Sequence, residues 1–89
     1  MNIPGGFSND LSLNEKVLYV LSLLKKATAD EVAMEIMELQ GTATEEGVAE
    51  LTIATTQALG HLQQQGLLKM ETTSDKQTRF WLNEKSLKE

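Results

Sequence analysis

The stretch Glu50–Leu68, ELTIATTQALGHLQQQGLL, decides how this chain is read. Turned through about 100° per residue, as a helix turns, it puts Thr55, Leu59 and Leu62 on one side and Ala54, Gln57, His61 and Gln64 on the other. The first set has the character of a core face, and the second is a polar face offered to something else. Thr52 suits the N-cap, because its side-chain oxygen can accept an orphan backbone N–H. Gly66 suits the position just past the helix end, where the backbone turns left-handed. From Leu51 through Gln65 there is no lysine and no arginine.

Downstream, Leu67 to Thr72 and Gln77 to Asn83 have strand character, and Thr73, Ser74, Asp75 and Lys76 form a turn-rich tip between them. Together they predict a β-hairpin in which Phe80 and Trp81, being adjacent, point to opposite faces. Upstream, Ser12, Leu13, Asn14 and Glu15 fit a capping box, and Leu13, Val17, Val20, Leu21 and Leu24 recur at helical spacing as far as Lys25 and Lys26. A second box, Thr28 to Glu31, opens another helix two residues later. Val32, Ala33, Ile36 and Met37 carry it to Gly41. GTATEEGV, Gly41 to Val48, then reads as a polar loop holding at most one turn of helix. Residues 1–11 are expected to be a flexible arm, 12–83 the domain and 84–89 a tail.

Eighty-nine residues allow one modest core. The absence of cysteine removes disulfides and thiolate metal sites. The start MNIPGGFSND lacks the basic and apolar regions of a signal peptide, and no apolar run is long enough for a bilayer, so a cytoplasmic setting without membrane contact is expected. No nucleophile and base pair, phosphate-cradling loop or metal motif is present, and neither an enzyme nor a cofactor is expected. Glu31, Glu35 and Glu38 lie along one helix side and read as a solvated surface. The formal net charge is -5, distributed as nine acids and three bases in residues 1–50 against four acids and five bases in residues 51–89. Avid nonspecific binding to a polyanion is disfavoured, since phosphate contacts need lysine and arginine.

Three words of the sequence, KKATADEVAMEI, TQALGHLQQQGLLKM and TRFWL, are similar to the helix-to-helix passage, the recognition helix with its exit, and the returning wing strand of the winged helix-turn-helix family. The resemblance covers Leu13 to Asn83 and extends to small bacterial transcription regulators of the MarR, PadR and ArsR kinds. It implies an α+β winged helix-turn-helix of three helices followed by a two-stranded β-hairpin wing, with a short extra strand between the first two helices. It also implies DNA as partner, the third helix lying in the major groove and the hairpin on the flanking backbone. The DNA-binding residues it assigns are Thr52, Ala54, Gln57, His61 and Gln64 on the helix and Lys76 and Arg79 on the wing. A homodimer would match a palindromic site. Winged helices also serve as protein-docking modules, and the acidic first half and base-free third helix suit that alternative protein partner.

Gly60 lies inside the third helix, where glycine costs about 1 kcal/mol relative to alanine. Either another helix packs closely against it, or the helix bends there, or its backbone closely approaches a ligand or DNA.

Overall fold

Two capping boxes organise the first half of the chain. In α1, Leu13–Leu24, the Glu15 N–H donates to Ser12 Oγ at 3.2 Å and Glu15 Oε1 accepts from the Ser12 N–H at 3.2 Å. In α2, Ala29–Gln40, Glu31 N–H donates to Thr28 Oγ1 at 3.2 Å and Glu31 Oε1 accepts from Thr28 N–H at 2.9 Å. Each box satisfies two backbone donors that the first turn of a helix leaves without partners. Between the helices lies β1, Lys26–Thr28, so only Lys25 is available to turn the chain. It does so at φ 70°, ψ −53°, a conformation that non-glycine residues rarely adopt. The computed structural model describes residues 6–41 and 45–83, and the side chain of Glu45 is not described. Residues 1–5 of the expected arm and the whole of the expected tail, residues 84–89, lie outside that range, as do residues 42–44.

The third helix, α3, is Glu45–Gln64, and it begins two turns before the start that Thr52 as N-cap predicts. Thr52 is therefore not a cap. Its hydroxyl donates to the Val48 carbonyl at 2.7 Å, one turn back inside the helix. The apolar stripe of Thr55, Leu59 and Leu62 extends backwards through Leu51, which packs against the core. The polar residues around Gly47 had hidden that extension. At the other ends of α2 and α3, Gly41 and Gly66 adopt φ 71° and 81°, and the Leu67 N–H reaches back to the Leu62 carbonyl at 3.0 Å, as in a Schellman closure.

β2, Leu68–Thr72, and β3, Thr78–Leu82, form the hairpin, and β1 pairs with the far edge of β3. The sheet is thus antiparallel, in the order β1-β3-β2. It has three strands where the hairpin alone would give two, and the third occupies the segment between α1 and α2. Register decides the faces. Ala27, Phe80 and Met70 are aligned across the sheet, as are Lys26, Trp81 and Lys69, and alternation puts these two rows on opposite sides. Phe80 is buried in the core, while Trp81 lies outside with the Lys26 ammonium 4.5 Å from its ring centroid.

The core is built from one face of each helix and closed by the sheet: Val17, Leu18 and Leu21 from α1, Val32 and Ile36 from α2, Leu59 and Leu62 from α3, and Leu68 and Phe80 below. Fully burying each large apolar side chain contributes about 1.5–3 kcal/mol, most of which conformational entropy offsets. Ahead of α1, Phe7 packs on this core with its ring centroid 6.1 Å from that of Tyr19. No helix among the described residues is long and apolar enough to cross a membrane.

Candidate functional site

α3 carries two surfaces of opposite character. Its inner face holds Leu59 and Leu62 together with Thr55, which has no accessible surface and whose hydroxyl has no hydrogen-bond partner. Its outer face, Glu46, Glu50, Ile53, Gln57, Gly60 and Gln64, follows the remaining side of the helical period. Gln57, His61 and Gln64 are exposed as the sequence reading placed them, but Thr52 and Ala54 are half-buried on the flanks. Ile53 is the residue that reading missed. It is 63% exposed, and the signal was an apolar side chain on the polar side of the period.

Gly60 does not fit the packing explanation given for it. A Cβ built there would meet nothing within 4 Å, so no other helix of this chain packs closely against it, and no positive φ requires glycine. The position is open and faces outward at the centre of the line formed by Ile53, Gln57 and Gln64.

The hairpin tip is held together by its own groups. Thr73 and Lys76 close a turn through a 2.9 Å backbone bond, and Lys76 follows in the left-handed region at φ 64°. This is a type I turn with a left-handed residue after it, a position where glycine is usual. Arg79 donates to Thr73 Oγ1 at 2.9 Å and lies 3.8 Å from Asp75 Oδ2. The Thr73 hydroxyl and the Gln77 backbone N–H both donate to the Asp75 carboxylate and, with the nearby Arg79, hold its pKa below the ordinary aspartate value. The guanidinium expected to face a phosphate backbone is thereby engaged inside the turn. Lys76 remains exposed.

Between α3, the start of α2 and the hairpin runs an open cleft of about 430 Å³, lined by Asp30, Thr56, Met70, Lys76, Gln77 and Phe80 among others. Met70 is 46% exposed at its edge. Lys76 thus lines the same cleft as Thr56 in the middle of α3, and His61 and Gln64 are not among the residues that line it. Lys26 and Lys69 lie on the outer face of the sheet with Trp81, away from the core, and Lys26 pairs with Glu71 at 3.3 Å. No base lies on the described part of α3 apart from His61, and Glu46 and Glu50 are exposed on it.

No family model, curated protein or solved structure matches this chain. Function is accordingly read from the surfaces themselves. Among the described residues, no three histidine, aspartate or glutamate side chains are placed to hold a metal ion. What the arrangement offers is a helical ridge without lysine or arginine, acidic at its start, with one apolar projection and one open glycine, beside a shallow cleft of mixed polarity.

Proposed function

We propose that the chain is a winged-helix domain that works as a protein-interaction module, an adaptor or assembly subunit, with the outer face of α3 as its docking surface. The order α1, β1, α2, α3, β2, β3 and the antiparallel sheet support the winged-helix reading, with α3 as the presented helix and β2–β3 as the wing. The observation that carries the docking role is Gly60. A glycine in mid-helix costs about 1 kcal/mol, and here neither packing against the rest of the chain nor a positive φ accounts for it. Close approach of an outside partner does.

The charge pattern supports a protein over a duplex. Phosphate contacts hold a protein on DNA before base contacts specify the site, and they need cations. Around the α3 ridge and cleft stand Asp30, Glu46, Glu50 and Asp75, against Lys76 and an Arg79 engaged by Asp75 and Thr73. An exposed apolar side chain on a helix of this kind is better used against protein than against a groove lined by phosphate.

A second reading, transcription regulation through DNA, rests on the exposed row Gln57, His61 and Gln64 and on Lys76 at the wing tip. Glutamine can contact adenine in a bidentate manner. Titration of the isotope-labelled chain with a mixed-sequence duplex at low salt separates the two readings through backbone amide shifts. The docking reading expects α3 and the wing to stay unshifted. Shifts clustered on Thr52 to Gln65 and Thr73 to Arg79, fading as salt rises, would overturn it in favour of DNA.

A further inference from the structure

Ile53 and Gly60 stand seven residues apart on α3, just short of two turns, so they share one line of the helix surface with Gln57 between them. Ile53 is the most exposed large apolar side chain of the described residues, at 63%, and Gly60 has open space where a side chain would be. The first is a projection with nothing to seat it, and the second is a recess with nothing in it. On the docking reading above, we propose that the partner on this face is a second copy of this chain, with the two α3 helices antiparallel and Ile53 of each copy seated over Gly60 of the other.

The pairing is self-complementary, as a two-fold interface must be. With the axis between Thr56 and Gln57, setting residue 53 against residue 60 also sets residue 60 against residue 53. A seven-residue interval is the repeat on which knobs enter holes between paired helices, and the missing Cβ lets the two backbones approach.

Charge selects the direction. A parallel pair would bring Glu46 and Glu50 against the same carboxylates of the other copy. An antiparallel pair sends them to opposite ends and places Glu50 beside Gln64, whose side-chain amide can donate to a carboxylate. It also opposes the two helix dipoles favourably. From Leu51 to Gln65 the ridge carries no acid and no base other than His61, so its centre brings no like charges together.

One helix pair covers less than the roughly 1,200 Å² of a stable interface, so the complex is weak and forms at high protein concentration. Each copy carries a formal net charge of -5. Salt screens that mutual repulsion, so the pairing tightens as salt rises. DNA binding would respond in the opposite sense.

The chain has no cysteine, which makes disulfide trapping clean. Q57C, next to the axis, should form a covalent dimer on oxidation, and an equimolar mixture of I53C and G60C should yield the cross-linked pair more readily than either alone. E46C should stay monomeric, because the antiparallel arrangement separates its two copies by most of the length of α3. Sedimentation of the wild-type chain up to about 1 mM, where an interaction of only about 4 kcal/mol is populated, should show the mean mass rising towards a dimer, and Ile53→Ser should abolish the rise without altering the circular dichroism. A wild-type monomer at every concentration overturns the second copy as partner, as does cross-linking that favours E46C over Q57C. Neither result touches the docking reading itself, which fails if duplex DNA shifts the α3 amides.

Discussion

The first forty residues and the last forty use local rules differently. α1 and α2 each begin with a complete capping box, and α2 ends on a left-handed glycine. The positive φ of Lys25 there has a geometric reason, since a single residue must turn α1 into β1. Three departures stand among the described residues of the second half. Thr55 is buried without a hydrogen-bond partner, Gly60 interrupts a helix face with open space beside it, and Lys76 takes a position that glycine usually holds. Chains that agree with themselves at every level fold well, and departures concentrate where something besides folding is selected. On the proposed docking reading, α1 and α2 serve as support and α3 with the hairpin as the presented part.

The support side should be expensive to damage. Leu59→Ala removes a fully buried side chain where α3 meets α1 and α2, and equilibrium unfolding in urea should show a loss of about 2–5 kcal/mol. A loss below about 1 kcal/mol, small for such a cavity, would mean the core is looser than its burial indicates. Thr55→Val should move stability the other way. It keeps the volume and deletes a hydroxyl whose unsatisfied burial costs about 1–3 kcal/mol, so the urea midpoint should rise. If the midpoint falls, the hydroxyl has a partner that contributes to the fold.

Smaller effects sharpen the division. Thr28→Ala removes the acceptor for the Glu31 N–H and should cost about 1 kcal/mol, seen as a lower melting temperature. Gly60→Ala should stabilise the isolated chain by about 1 kcal/mol through helix propensity alone, because nothing stands in the way of the added methyl. Lys76→Gly should give the smallest gain, about 0.5 kcal/mol, as relief of the left-handed conformation slightly exceeds the entropy that glycine loses on folding. A thermal melt of Lys76→Gly that moves downwards would show that the lysine side chain holds the tip together.

Much of the fold was legible because its signals are local and redundant. Ser12 with Glu15 and Thr28 with Glu31 fix two helix starts by themselves, and the alternation at Phe80 and Trp81 fixes the faces of β3. The start of α3 was not legible, because Glu45, Glu46 and Gly47 look like loop and only tertiary packing of Leu51 extends the apolar stripe backwards. At the candidate site, the exposure of Gln57, His61 and Gln64 followed from the helical period. The engagement of Arg79 by Thr73 and Asp75 did not, since it depends on how the turn folds back on β3. Gly60 could be noticed in the sequence, but only the empty space around it removed the explanation by internal packing.

Gly60→Ala provides the most direct measurement, read in two ways on the same preparation. At low concentration, thermal melting should show the variant more stable than the wild type by several degrees, about 4–8 °C for 1 kcal/mol in a domain of this size. At high concentration, sedimentation should show its self-association weakened or lost, because the methyl fills the recess that Ile53 of the second copy would occupy. Opposite signs in the two readouts are the predicted result. A variant that melts higher while associating as the wild type does would contradict it, and Gly60 would then be an ordinary surface glycine.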